Sequence, residues 1–140
     1  MFDALDLAKY IVTKCINDGH PISNLQLQKI LFYIQKDYLM RNRVAFADNI
    51  EAWQFGPVVP NVYYRFCGFG AMPITSSHTA ISMAVEDSEI IDRIVEEKRA
   101  LDPWELVEET HKKNGAWDLV YQNGNGNHEI ISLDLIKKAG

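Results

Sequence analysis

Cysteine is almost absent from this 140-residue chain, which has only Cys15 and Cys67, each set singly among apolar residues. That excludes a disulfide scaffold and a cysteine-based metal knuckle, and both thiols are expected to be reduced core residues. No apolar run approaches the roughly 20 residues needed to span a bilayer, and Met1-Phe2-Asp3-Ala4-Leu5-Asp6 carries no basic leader. The expectation is a cytoplasmic protein without membrane contact. Positive charge is also scarce, with 14 Lys and Arg against 19 Asp and Glu and a net charge of −5. Non-specific nucleic-acid binding, which depends on cations neutralising phosphates, is therefore not expected. The most basic local group, Lys36, Arg41 and Arg43, reads as a helix end with cations beside its carbonyls.

Catalytic patterns are missing as well. His20, His78, His111 and His128 form no HxH or HExxH pair, so no metal site is expected. Glu105, Glu108, Glu109 and His111 read as a solvated acidic helix face. Ser76, Ser77 and Thr79 flank His78, but adjacency in a loop is not a triad. Gly68-Phe69-Gly70 lacks the longer glycine pattern and following Lys-Ser/Thr of a phosphate cradle, and reads as a helix stop. The expectation is a protein that is not an enzyme and uses no cofactor.

What is present is an ordinary globular composition, 47% apolar and 24% charged, on a length suited to one domain over residues 1–140. Leu5, Ala8, Ile11, Val12, Cys15 and Ile16 recur at helical spacing, with Asp3 as cap and Gly19 as stop. Ser23 and Gln26 have capping-box spacing and open a second helix that should bury Leu27, Ile30, Leu31, Ile34 and Tyr38. From Asn49 to Phe55 the rhythm becomes alternating, which predicts a short strand, and Gly56-Pro57 predicts a turn after it. Pro60 suits the first turn of a third helix through Val62, Tyr63 and Phe66 to Gly68. Phe69 to Val85 reads as an irregular, mobile loop. A fourth helix is predicted over Asp87 to Arg99, and a fifth opens at Asp102-Pro103 and carries Trp104, Leu106, Val107 and His111. Gly115 separates it from a sixth at Ala116 to Gln122; Asn123 to Asn127 form a turn, and Ser132 caps a last helix. The fold class is mainly α, a compact bundle of about six or seven helices with one short β element or hairpin.

The run Leu27-Gln28-Lys29-Ile30-Leu31-Phe32-Tyr33, followed by Ile50-Glu51-Ala52-Trp53-Gln54-Phe55-Gly56-Pro57-Val58-Val59-Pro60 and Val62-Tyr63, closely resembles the Panacea domain, also called the SocA-like or GepA-like phage-associated family. Trp104-Glu105-Leu106, Thr110-His111 and Trp117 look like that family's second signature. The resemblance runs from about Leu5 to Trp117. One departure is plain: the family commonly places an acidic residue and a proline between the Thr-His pair and the tryptophan, where this chain has Lys112-Lys113-Asn114-Gly115-Ala116.

The resemblance implies an antitoxin of a bacterial or prophage toxin-antitoxin pair that binds its cognate toxin directly. In some relatives the domain looks instead like an adaptor presenting the toxin to an ATP-dependent protease. A DNA-binding regulator is a further alternative, because the helices of residues 3 to 40 imitate a helix-turn-helix with Asn24, Gln26, Gln28 and Lys29 near the second helix's start. Against it, Leu25, Leu27, Ile30 and Leu31 leave little of that helix free.

The signature residues Gln28, Lys29, Tyr33, Glu51, Trp53, Gly56, Pro57, Val58, Tyr63, Thr110, His111 and Trp117 are expected to be mostly scaffold. Trp53 is read as a core anchor, with an interface hot spot as the alternative. Glu51, in an apolar segment, needs a partner, and Lys29 and His111 are the candidates. Tyr64, Phe66, Phe69, Met72 and His78 are the candidates for partner contact, with the Phe69 to Thr79 loop as the variable region.

Overall fold

The computed structural model describes residues 1–79 and 81–140; Ala80, inside the expected loop, lies outside them. Among the described residues there are seven α-helices and one small three-stranded sheet. Helix α1 (Ala4–Asn17) is capped by Asp3, whose side chain accepts from the Asp6 N–H. Helix α2 (Asn24–Met40) opens with the full capping box, Ser23 and Gln26 each bonding the other's backbone, which satisfies two otherwise orphaned donors.

Strands β1 (Ile50–Trp53) and β2 (Gly56–Val58) form a hairpin leading into α3 (Pro60–Phe66), with proline at the start of its first turn. A single 3-10 turn, Cys67–Phe69, follows. After an irregular stretch come α4 (Val85–Arg99), α5 (Pro103–Thr110) and α6 (Ala116–Tyr121), then strand β3 (Ile130–Ile131) and α7 (Leu133–Ala139), capped by Ser132. The sheet order is β2-β1-β3, antiparallel throughout.

Helix α2 is the axis of the molecule, touching α1, α3, α4, α5, α7 and β2. It buries Leu27, Ile30, Leu31 and Ile34 completely, at roughly 1.5–3 kcal/mol of hydrophobic stabilisation for each such side chain. The sequence stripe predicts one buried face, but Asn24, Gln28, Lys29 and Gln35 are buried too. A helix surrounded on all sides must bury polar residues, and these are tolerated where they find backbone partners. Gln35 shows how: its amide donates to the Phe46 carbonyl at 2.7 Å and accepts from the Ala45 N–H at 2.8 Å, pinning the chain between α2 and β1. Tyr10 and Tyr38, on α1 and α2, donate to Asp92 and Asp87 of α4.

Several expectations change. The hairpin turn is Gln54-Phe55, because the register pairs Trp53 with Gly56; Gly56-Pro57 belongs to a strand. Pro57 is accommodated because β2 is an edge strand, where a missing N–H costs no ladder bond. Strand β3 had not been expected; it is held beyond its two residues by Ala52 N–H to Glu129 carbonyl at 2.8 Å and His128 N–H to Ala52 carbonyl at 2.7 Å. Cys15 is buried, whereas Cys67 is exposed, since the 3-10 turn lifts it off the buried stripe of α3. Of the basic group at the end of α2, Arg41 pairs with Asp37 at 2.7 Å and Arg43 with Asp87 at 3.2 Å.

Candidate functional site

The first signature folds into one structural joint where α2 meets the hairpin. Gln28 accepts from the Val59 N–H at 2.9 Å and donates to Asn24 at 2.9 Å, and Asn24 donates to the Tyr63 carbonyl at 3.1 Å. This relay fastens α2 to the β2–α3 junction. With Asn24, Gln28 and Lys29 buried, the start of α2 presents no row of base-reading side chains.

One turn along, Lys29 has no accessible surface. Its Nζ donates to the Pro57 carbonyl at 3.4 Å, and burial pushes its pKa down to about 7. Glu51 is not its partner. Strand alternation turns Ile50 and Ala52 into the core and Glu51 and Trp53 to the opposite face, where the Glu51 carboxylate accepts from the Trp53 indole N–H at 3.0 Å.

The second signature closes over Lys29 from the other side. Thr110, at the end of α5, is buried and donates to the Val107 carbonyl at 3.0 Å. His111 stacks on Trp117 at 3.6 Å between centroids and 6° between planes, and Trp117 stacks in turn on Tyr121 at 4.5 Å. Burial lowers the His111 pKa and the Lys29 charge lowers it further, with the Phe55 backbone opposing; its Nε2 is buried without a partner. The Trp117 indole N–H donates to the Trp53 carbonyl at 2.7 Å, tying α6 to the tip of β1. The family's missing acidic residue leaves no gap here, since Asn114 N–H bonds Asp118 at 2.9 Å and closes the α5–α6 turn.

Outside this joint lies an open groove of about 490 Å³, with Lys29, Gln28 and Asn24 among its lining residues beside Trp53, Phe55, Tyr63, Trp104 and His128. Trp53 lies parallel to the His128 ring at 4.3 Å and edge-on to Tyr63 at 4.9 Å. Phe55 and Trp104 meet edge to face at 5.7 Å, yet stay 48% and 58% exposed. Trp53 is thus half-buried: an anchor on one face and groove wall on the other.

The partner-contact candidates separate. Tyr64 and Met72 are exposed, at 62% and 68%; Tyr64 lies 6.0 Å from Trp53, and Met72 follows groove-lining Gly70 and Ala71. Phe66 is fully buried and presents no surface, while Phe69 is half-buried against the core. Tyr33 sits on another face, donating to Glu109 at 2.9 Å under the Lys98 ammonium. Burial raises the Glu109 carboxyl, but the hydrogen bonds from Lys98 and Tyr33 outweigh it and hold the group low.

His78 does bond Ser76, Oγ to Nε2 at 2.8 Å, closer to a nucleophile–base pair than the sequence suggested. Burial, Arg65 and Lys9 all lower the His78 pKa. Among the described residues no cluster of His, Cys, Asp or Glu is placed to hold a metal ion, and no helix is long and apolar enough to cross a membrane.

Phe55, Trp104 and His128 were missed as site residues. Trp104 left a trace in the sequence: it lies off the Leu106, Val107, Thr110 stripe that α5 buries, so a tryptophan there faces outward.

Residues 27–118 match the family model described as antitoxin SocA-like, Panacea domain. The antitoxin SocA of Caulobacter vibrioides (strain NA1000 / CB15N) is 30% identical over a 149-position alignment that covers 97% of this chain and 79% of that protein. No solved structure matches.

Proposed function

This chain belongs to the antitoxin SocA-like family of Panacea domains, and from that premise we propose that it is an antitoxin that neutralises a protein toxin by direct binding, with the aromatic groove as its contact surface. The observation that carries the surface is the pair Phe55 and Trp104, large rings left about half exposed at the mouth of a preformed cavity. Exposed aromatics of this kind are unusual on a surface with no partner, and tryptophan and tyrosine dominate the energetics of protein interfaces. Tyr64 and Met72 extend the same apolar patch.

The groove is made by scaffold residues that α2 and the hairpin hold in place through the Gln28 relay, so little ordering is needed when a partner arrives. The acidic net charge of −5 favours encounter with a basic toxin. The work asked of the protein is occupation of a surface, which needs neither a reaction nor a cofactor.

The test is a toxin-inhibition assay with purified components and no protease, using the product of the neighbouring reading frame as toxin. Stoichiometric inhibition supports direct neutralisation. Inhibition that appears only when an ATP-dependent protease is added refutes it in favour of the adaptor role.

A further inference from the structure

The floor of the groove holds a cation without an anion. Lys29 has no accessible surface, and its Nζ has one acceptor, the Pro57 carbonyl at 3.4 Å. Among the described residues no carboxylate lies within ion-pairing distance of it, although eight such pairs form elsewhere. An ammonium carries three donors, so two remain unused.

The neighbouring polar groups do not compensate it. Asn24 and Gln28 are committed to each other and to the backbone, and Thr110 donates to its own helix. Glu51 is committed to the Trp53 indole N–H. His111, facing Lys29 from the end of α5, adds a second titratable base rather than an acid. The rest of the lining is aromatic or aliphatic apart from Cys67, Gly70, His128 and the amides Gln54 and Asn127, and includes no carboxylate. Keeping a lysine uncompensated in such a place is costly. Methionine has nearly the same volume and would fill the position without that cost.

We propose that the groove takes an internal segment of the toxin in which an aromatic or apolar side chain stands beside an Asp or Glu, whose carboxylate pairs with Lys29. This rests on the direct-binding reading of the groove. The aromatic side chain lies against Trp53, Tyr63 and Trp104, and the carboxylate enters above Lys29. Because no part of Lys29 reaches water in the free protein, Nζ rotates from the Pro57 carbonyl toward the groove, giving up one long hydrogen bond for a charge-assisted one. A side-chain carboxylate supplies the charge without a free chain end, so the segment is an internal one.

Two end-blocked dipeptides serve as probes, N-acetyl-Trp-Glu-amide and N-acetyl-Trp-Gln-amide, titrated into the full chain at pH 6 and followed by NMR shifts of the Trp53 and Trp104 indoles. The glutamate peptide is expected to bind about tenfold more tightly than its neutral twin, and Lys29→Met is expected to abolish the difference while the neutral peptide binds as before. Equal affinities in the wild-type protein overturn the inference, as does failure of the glutamate peptide to bind at several millimolar. Neither result touches the direct-binding reading, which is judged separately by whether Trp104→Ala still neutralises the toxin.

Discussion

Lys29 and Gly56 leave no room for a methyl group between them: a Cβ on residue 56 would lie 2.7 Å from Lys29 Cε and 2.9 Å from Thr110 Oγ1. The strand β2, the centre of α2 and the end of α5 meet at that point. Gly56 also adopts φ +117°, a conformation that residues with a Cβ rarely take.

Gly56→Ala is therefore expected to cost about 2–4 kcal/mol, combining backbone strain with overpacking. Relief requires both the Lys29 and the Thr110 side chains to shift within a packed joint. In a Lys29→Ala background the Lys29 part of the clash vanishes while the Thr110 contact and the backbone strain remain, and the substitution should cost about 1 kcal/mol less, read as a coupling in a double-mutant cycle of urea midpoints. Strict additivity would show that the two side chains do not share this space.

Lys29→Met is expected to stabilise the protein near neutral pH. Burial holds the folded-state pKa near 7, against about 10.4 for an unfolded lysine. Between those values the unfolded chain binds the extra proton, so wild-type stability rises with pH across the window, by an amount on the order of a few kcal/mol. Below about pH 7 the full penalty of a buried ammonium is present. The advantage of Lys29→Met should thus be largest at pH 7 and below and vanish by pH 10.5, as measured by chemical denaturation at several pH values. A constant difference would contradict the placement of Lys29.

His111 adds a second slope at lower pH. Its folded-state pKa is depressed by burial and by Lys29, so its contribution is fully present above about pH 6.5 and is lost as pH falls below that value through the folded pKa. His111→Phe keeps a ring against Trp117 and is expected to flatten the acid limb of the stability profile. An unchanged limb would mean that His111 protonates freely in the folded protein.

Trp104→Ala and Phe55→Ala remove rings about half exposed in the free protein. Each is expected to change folding stability by less than about 1 kcal/mol while weakening toxin binding by about thirtyfold or more, equivalent to a hot-spot loss near 2 kcal/mol. Calorimetric titration with the toxin separates the two effects. Full affinity in both variants would move the contact surface off this groove.

Gln28→Leu preserves bulk and removes the relay. The Val59 N–H and the Asn24 carbonyl oxygen would lose their partners, at about 1–3 kcal/mol for each buried group left unsatisfied. Near-neutral stability would show that water replaces the amide.

Much of the scaffold was legible because its signals are local. Asp3, Ser23 and Ser132 cap the helices their spacing predicts, since a cap bond reaches only two or three residues. The alternation of Ile50 to Trp53 marked the strand. The hairpin turn was misplaced because Gly56-Pro57 is a strong turn signal in isolation, and only its position at the sheet edge makes it a strand. Trp53, Thr110, His111 and Trp117 could be listed as signature residues, but their list carried no geometry. Glu51 was given the wrong partner because a sequence shows that a carboxylate needs a donor without showing which face the donor occupies.

By itself the sequence determined most of the helices, several of their caps, the first strand and the family, all of which rest on spacing within a few residues or on short signature runs. The tertiary structure alone decided that α2 is enclosed on all sides and Lys29 left without a counter-ion, and that Phe55, Trp104 and His128, from three separate elements, share one groove. Burial of a charge and convergence of rings depend on how elements distant in the chain pack, and no periodicity along the chain records that packing.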